Sequence, residues 1–318
     1  MPHDPRFADP ALLSSAALDL HALTRATCAI VEEGVELVRS MLLRPIADWA
    51  KEDRSPVTEI DLAVDALLFG KLRALLPAAW LSEETADDPV RLESPLVWVV
   101  DPIDGTRSLI EQTNEFCISV ALVERGRPIL GVVANPQTGE RYFGWRGGGA
   151  WDGDGNQLTI APPRPDEALR LLVSSTELKK GLWTGISEQI HVRAISSLAY
   201  KMALVASGVV DATLTPWPRS EWDAAAGDLL VELAGGASCD ITGEPLRYNR
   251  AATTFDGIAC GGPAALGRLA GVRDELRERR RAIVDHLRIR SEQGHGAAPT
   301  SSATVGAGQP LPGRRTTS

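Results

Sequence analysis

Two aspartates follow one apolar, β-branched segment of this chain, and their position is suited to binding a divalent cation. Residues 96–100 are predicted to form a buried strand that ends near Asp101, because Pro102 has no amide hydrogen to donate to a sheet. Asp101 and Asp104 then lie together at the end of that strand. Carboxylate oxygens, and a backbone carbonyl such as that of Ile103, are the ligands that Mg²⁺ prefers.

A Gly-Thr pair comes directly after these aspartates and is suited to phosphate binding. If a helix begins here, the backbone amides of Gly105 and Thr106 face a phosphate oxygen. The alternative is an ordinary turn, since Asp, Pro and Gly are all common turn residues. The motif alone therefore leaves a functional and a structural interpretation open.

Three more acidic side chains stand at predicted ends of elements. Glu83 and Glu84 follow the short apolar run 78–81, and Asp223 lies in the first turn of a predicted Ala-rich helix. Each has its own structural explanation, because a loop acid is solvated and an acid in the first turn interacts favourably with the helix dipole. Two like charges about 4 Å apart repel by roughly 4 kcal/mol at an effective dielectric near 20, so gathering these acids in one pocket requires cations or protons.

Thr58 and Asp61 have the spacing of a capping box ahead of an apolar-periodic helix over residues 63–76. Capping explains this pair without any chemistry. The five histidines form no ligand pattern. If the acids hold metal ions, a metal-bound water rather than a histidine would supply the nucleophile.

Four motifs, in this order, resemble those of the inositol monophosphatase superfamily of metal-dependent, typically lithium-sensitive phosphatases. They are Lys-x-Asp-x-Ser-Pro-Val-Thr-x-x-Asp from Lys51, Ser-Glu-Glu from Ser82, Asp-Pro-Ile-Asp-Gly-Thr from Asp101 and Trp-Asp-x-Ala-Ala-Gly from Trp222. The resemblance spans roughly residues 26–262. It implies an α/β fold of the five-layered αβαβα sugar-phosphatase type.

The resemblance also implies a metal site with named ligands. Glu83, Asp101 and the Ile103 carbonyl would hold one Mg²⁺, and Asp101, Asp104 and Asp223 a second. Two or three ions are expected in all, and Mn²⁺ is expected to substitute for Mg²⁺.

The catalytic roles follow from the same resemblance. Asp61 and Thr106 would orient the attacking water, with Glu83 as a further catalytic carboxylate. The amides of Gly105 and Thr106 would hold the phosphate.

The substrate is expected to carry a second phosphate. Residues 196–201, 221–227 and 246–249 resemble the 3′(2′),5′-bisphosphate nucleotidase branch, and Pro216 stands where an inositol monophosphatase usually has an acid for sugar hydroxyls. Ser197, Lys201 and Arg219 are expected to bind this substrate, adenosine 3′,5′-bisphosphate being the first choice.

Several alternatives stay open. Residues 174–177 read Ser-Ser-Thr-Glu where that branch often has Ser-Arg-Ser-His, and Arg107 is shared with histidinol phosphatases. Inositol 1-phosphate and, after it, fructose 1,6-bisphosphate are further candidate substrates. A non-catalytic cation-binding regulatory protein is disfavoured, because none of the acids that the motifs require is missing.

The resemblance implies an enzyme that acts on a small phosphorylated metabolite, and a monomer or homodimer is expected. Composition agrees with a cytoplasmic enzyme. The chain has 318 residues, 44% of them hydrophobic, which is enough for a sizeable core. A net charge of −9 argues against a nucleic-acid partner. No apolar run approaches the roughly 20 residues of a membrane span, and no secretory leader is recognised.

The chain is predicted to divide into four parts. Residues 1–160 form an α+β half, with helices within residues 9–43 and 63–76 and an antiparallel meander over residues 116–145. Residues 161–272 form an α/β half with the substrate contacts and Asp223. A charged helix over residues 273–293 and a disordered tail over residues 294–318 follow.

Overall fold

A computed structural model describes residues 18–51 and 55–294 of the chain, with side chains up to residue 285. The beginning of the helical region predicted over residues 9–43 and nearly all of the predicted tail lie outside the described residues. The larger compact unit of the chain ends at Arg280. The predicted boundaries between the two halves, and between the second half and the charged helix, stay predictions.

The described residues form seven α-helices, one 3₁₀-helix (Pro89–Glu93) and fifteen strands. The helices are α1 (Leu20–Met41), α2 (Glu59–Leu75), α3 (Thr106–Ile110), α4 (Ser175–Lys179), α5 (Leu198–Ala206), α6 (Glu221–Leu233) and α7 (Pro263–Gly294). The strands are β1 (Asp48–Ala50), β2 (Pro56–Thr58), β3 (Ala79–Ser82), β4 (Leu96–Asp104), β5 (Cys117–Glu124), β6 (Arg127–Ala134), β7 (Arg141–Trp145), β8 (Gly149–Asp152), β9 (Leu169–Val173), β10 (Ile190–Ala194), β11 (Ala212–Thr215), β12 (Arg219–Ser220), β13 (Ala237–Cys239), β14 (Thr254–Phe255) and β15 (Ile258–Gly261).

The first sheet has six strands in the order β3-β4-β5-β6-β7-β8. Its last five strands pair antiparallel in sequence order, which confirms the predicted meander. Helices α1 and α2 pack on one face of this sheet and α6 on the other. All nine residues of β4 are buried, as expected for a central strand covered on both faces.

Strand β4 is longer than the sequence predicts. It continues through Pro102 to Asp104, so the expectation that it ends near Asp101 is wrong. The register to β5 shifts between Asp101 and Asp104, and Pro102 lies within this irregularity, where a missing amide hydrogen breaks no regular ladder bond. The irregularity brings both aspartates to the same end of the strand.

The second sheet has the order β10-β9-β11-β15-β13, in which β9 pairs parallel with β10 and β11. Helices α5 and α6 pack between the two sheets, and their alanine-rich surfaces allow close approach. Beyond the second sheet, α7 buries Ala265, Leu269 and Leu276, and Arg273 contacts Cys239 on β13. The five layers therefore alternate as αβαβα, as the motifs implied.

Two local features of the chain are a helix cap and a tight turn. The capping box of Thr58 and Asp61 opens α2. Residues 152–156 form a hairpin turn, in which the Asp152 carboxylate accepts the amides of Asp154 and Asn156. Among the helices that the structure describes, none combines the length and the apolar composition needed to cross a membrane.

Candidate active site

A cavity of about 620 Å³ opens where β4, the start of α3, the start of α6 and the β1–β2 hairpin meet. Seven of the eleven residues that the sequence analysis selected line this cavity: Glu83, Asp101, Asp104, Gly105, Thr106, Arg219 and Asp223. Segments that are distant in sequence thus contribute to a single site.

The two aspartates of β4 form the floor of the cavity. Asp101 is 1% exposed; its Oδ1 accepts the Ile103 amide at 3.0 Å, and its Oδ2 is buried with no hydrogen-bond partner among the described residues. Asp104 Oδ2 accepts the Ser197 hydroxyl at 2.7 Å and the Ala199 amide at 2.6 Å. Both carboxylates are therefore held in place, while Asp101 keeps one oxygen unpaired.

Asp223 brings a third carboxylate to the same point from the first turn of α6. There it completes a capping box, in which its Oδ2 accepts the Ser220 amide at 3.0 Å. Oxygens of Asp101, Asp104 and Asp223 lie within 4.8 Å of one another, and we call these three residues the aspartate cluster. An all-oxygen donor set with an unpaired buried carboxylate oxygen fits Mg²⁺.

Glu83 lies beside the aspartate cluster, just after β3. Its carboxylate accepts Lys51 Nζ at 2.9 Å, and the same ammonium reaches Glu84 at 2.7 Å. Lys51 stands at the end of β1, so the β1–β2 hairpin brings one positive charge to the acidic wall of the cavity.

Asp61 and Thr106 form a hydrogen-bonded pair next to the cluster. Thr106 Oγ1 donates to Asp61 Oδ1 at 2.9 Å and lies 3.2 Å from the Ile103 carbonyl. The other oxygen of Asp61 accepts the Thr58 amide and hydroxyl. Because the Thr106 hydrogen is directed at Asp61, its oxygen lone pairs are available to a water in the cavity.

Burial and mutual repulsion raise the pKa values of these acids. Burial raises the pKa of Asp101 well above its ordinary range, and the charges of Glu83 and Asp104 raise it further. Burial and the charge of Asp104 raise the pKa of Asp223 to about 7. Burial also raises the pKa of Asp61. Three neighbouring acids with raised pKa values indicate a site that becomes favourable when cations are bound.

The start of α3 is suited to binding an anion. Gly105 precedes the helix with φ 101° and ψ 36°, and Thr106 is its first residue, so the first helical amides have no carbonyl partner within the helix. A Cβ at residue 105 would lie 2.8 Å from the Glu115 carbonyl oxygen. Glycine is thus required here both by the backbone angle and by the space.

Gly105→Ala is expected to lower both the melting temperature and the catalytic activity. A strained left-handed residue and a backbone clash each cost on the order of 1–3 kcal/mol, so we expect the Tm to fall by roughly 5 °C or more. The clash would also displace α3 and with it the amides at its start. Gly155→Ala is a matched control, because Gly155 has a similar φ of 85° and no atom of the described residues lies within 4 Å of the position that its Cβ would take. Equal Tm values for the two variants would contradict a steric requirement at Gly105.

Two residues expected to contact the substrate lie behind the cavity wall instead. Ser197 is fully buried, caps α5 through the Tyr200 amide and donates to Asp104. Lys201 is also fully buried, and its Nζ has no hydrogen-bond partner within residues 18–51 and 55–294. Both lie at the start of α5, which is packed between the two sheets and buried along its whole length. Neither residue is among those that line the cavity, and their contact with substrate stays a prediction.

Arg219 does line the cavity, and it is accompanied by a carboxylate that the sequence analysis did not select. Glu177 is fully buried, and its Oε1 lies 4.0 Å from Arg219 Nη2. Its available signal was the spacing of Ser174 and Glu177, which form the capping box of α4. That spacing locates a helix start but does not reveal the approach of Arg219 from a distant strand.

Comparisons with known proteins agree with this geometry. The model of the inositol monophosphatase family matches residues 19–278. A 3′(2′),5′-bisphosphate nucleotidase CysQ of Aggregatibacter actinomycetemcomitans is 35% identical over 231 residues, which are 70% of this chain and 85% of that relative.

Solved structures show the same fold. A Thermotoga maritima IMPase matches with a TM-score of 0.70 at 24% identity, covering 79% of this chain and 96% of that one. CysQ from Bacteroides thetaiotaomicron matches with a TM-score of 0.63 at 26% identity, covering 76% and 97%. These similarities confirm the fold that the sequence motifs implied.

Proposed function

Because this chain belongs to the inositol monophosphatase family, we propose that it is a Mg²⁺-dependent phosphatase that removes one phosphate from a 3′(2′),5′-bisphosphate nucleotide. The observation that carries the proposal is the aspartate cluster at the floor of a cavity, beside the Asp61–Thr106 pair. The cluster gathers charge that only cations or protons neutralise, and the pair offers an acceptor for a water proton.

The roles of the individual residues follow from their contacts. Asp101, Asp104, Asp223 and Glu83, with the Ile103 carbonyl, would hold the metal ions. When bound, Mg²⁺ supplies positive charge that screens the phosphate and makes an attacking water more acidic. Ser197 keeps the Asp104 carboxylate in one orientation.

Proton transfer is assigned to the pair next to the metal ligands. A water that donates a hydrogen bond to Thr106 Oγ1 passes its proton toward Asp61, whose Oδ1 already accepts the Thr106 hydroxyl. The raised pKa of Asp61, caused by burial, makes its carboxylate a better proton acceptor than an exposed aspartate. The amides of Gly105 and Thr106 are oriented to bind the phosphate oxygens as the first amides of α3.

The substrate assignment rests on the relatives and on the charge of the cavity. The curated relatives at 32–35% identity are 3′(2′),5′-bisphosphate nucleotidases. Arg219 lines the cavity, and Pro216, which is buried, supplies no acid for sugar hydroxyls. These features favour a substrate with an additional anionic group over an inositol phosphate.

Finer properties belong to the same proposal. We expect two or three ions per chain with Mn²⁺ able to replace Mg²⁺, a cytoplasmic location, and a monomer or homodimer. Calorimetric titration of the metal-free protein with each cation measures the stoichiometry.

A phosphate-release panel tests the function. Adenosine 3′,5′-bisphosphate, inositol 1-phosphate, histidinol phosphate and fructose 1,6-bisphosphate are compared at equal Mg²⁺ concentration, with chelator as the blank. We expect the bisphosphate nucleotide to have the highest kcat/KM, by roughly tenfold or more, since a charge-assisted hydrogen bond contributes about 1.5–3 kcal/mol. A higher kcat/KM for another compound would assign that compound as the substrate instead. Absence of phosphate release from all four compounds would overturn the phosphatase assignment.

A further inference from the structure

We propose that Glu177 is a positioning residue that fixes the Arg219 guanidinium in the cavity to bind the second phosphate of the substrate, with Lys201 as a buried charge behind this pair. The inference rests on the proposed function and adds to it the group that recognises the second phosphate. Three residues from separate elements, α4, β12 and α5, form this arrangement, and we call it the Glu177 triad.

Glu177 is held rigidly. Its Oε1 accepts the Thr215 hydroxyl at 2.5 Å, and its Oε2 accepts Trp183 Nε1 at 3.2 Å and the Ser174 amide at 3.3 Å. A fully buried carboxylate with several donors is a fixed negative charge, and such charges are rare unless they are paired. Its neighbour on the cavity side is Arg219.

Arg219 has donors left over after its contacts within the protein. Its Nη2 lies 3.5 Å from Thr215 Oγ1 and 4.0 Å from Glu177 Oε1, which are both long for a hydrogen bond. Its Nε is buried and has no partner in the part of the chain that the structure describes. A guanidinium that is oriented by a carboxylate, lines a cavity and retains unused N–H groups is suited to binding a phosphate.

Lys201 explains why Arg219 is not neutralised by Glu177. The buried Lys201 ammonium faces Glu177, Asp104 and Arg219, and burial together with the Arg219 charge lowers its pKa to about 8. Glu177 therefore faces two cations, and Arg219 also lies near Asp104 and Asp223, whose charges bound metal ions would neutralise. The Glu177 triad keeps a positive charge for an anionic ligand.

The first test removes the guanidinium and compares two substrates that differ by one phosphate. Arg219→Met is expected to lower kcat/KM for adenosine 3′,5′-bisphosphate by roughly 10- to 100-fold, and for adenosine 3′-monophosphate by less than about threefold. Arg193→Met is the matched control, since Arg193 is exposed on the edge strand β10 and does not line the cavity. It should leave both values unchanged.

A binding measurement gives a readout that does not depend on turnover. Adenosine 5′-monophosphate is titrated into each protein in buffer with Mg²⁺ and saturating inorganic phosphate, which occupies the reacting phosphate position. Arg219→Met is expected to weaken this binding by the same 10- to 100-fold, while adenosine binds both proteins equally.

Glu177→Gln tests the positioning role, because it removes the charge and keeps the size. KM for the bisphosphate is expected to rise about five- to tenfold with kcat within twofold, and the double variant with Arg219→Met should lose no more than Arg219→Met alone. A carboxylate that only supports folding would lower kcat/KM for both substrates equally and would add to the Arg219 loss.

The outcomes separate the two proposals. If Arg219→Met affects both substrates equally, or neither, and leaves adenosine 5′-monophosphate binding unchanged, the inference is overturned while the phosphatase assignment stands. If the wild-type protein releases no phosphate but its binding of adenosine 5′-monophosphate depends on Arg219, the proposed phosphatase activity is contradicted and the binding role of Arg219 is supported.

Discussion

Asp101→Asn is expected to reduce Mg²⁺-dependent phosphate release by on the order of 10³-fold, which corresponds to about 4 kcal/mol of lost transition-state stabilisation. Asp101 belongs to the aspartate cluster, and one of its oxygens is buried without a hydrogen-bond partner among the residues that the structure describes. Asparagine has nearly the same volume but no charge, and its NH₂ group donates where a cation ligand must accept. Initial rates over a Mg²⁺ titration measure the effect.

The same substitution should stabilise the metal-free protein at pH 8. It removes one negative charge from a buried group of acids, and its NH₂ can donate to Asp104 or Asp223. Asp166→Asn, at an exposed residue in a turn, is the matched control and should change neither activity nor Tm. Near-normal turnover of Asp101→Asn would show that another residue holds the ions.

The order of the motifs made the aspartate cluster predictable from sequence. Asp101 and Asp104 follow a strongly apolar strand, and Asp223 occupies the third position of a helix, so their local settings were recognisable. The exact end of β4 could not be predicted from the sequence, because a proline normally ends a strand. Only the pairing with β5 shows the irregularity that accommodates Pro102.

Substrate contacts were harder to predict because they depend on which side of a helix faces the cavity. Ser197 and Lys201 were plausible ligands by type, yet α5 is packed on two sides and buries both. Glu177 was missed for a different reason. Its helix-capping spacing is visible in the sequence, but Glu177 and Arg219 are 42 residues apart in sequence and meet only in the folded chain. Local patterns carry no information about such contacts.

Removal of metal is expected to abolish phosphate release and to make stability fall as pH rises from about 5 to 8. Burial and the charge of Asp104 raise the pKa of Asp223 from 3.8 to about 7, and the pKa values of Asp101 and Glu83 are raised in the same direction. Between pH 3.8 and 7 the unfolded chain has released these protons and the folded chain keeps them. The free energy of unfolding therefore decreases with rising pH and levels off above the folded-state pKa.

Magnesium should reverse this loss, because cations bind the ionised carboxylates of the folded state only. At a Mg²⁺ concentration a hundredfold above Kd, each site stabilises the fold by about 2.7 kcal/mol, or roughly 5–10 °C in Tm. Thermal melts in chelator and in Mg²⁺ at pH 5, 6, 7 and 8 measure both effects, with Asp101→Asn as the variant whose melting temperature responds least to either. A chelated protein whose Tm is constant or rises over this range, and is unchanged by Mg²⁺ at pH 8, would rule out the aspartate cluster as the metal site.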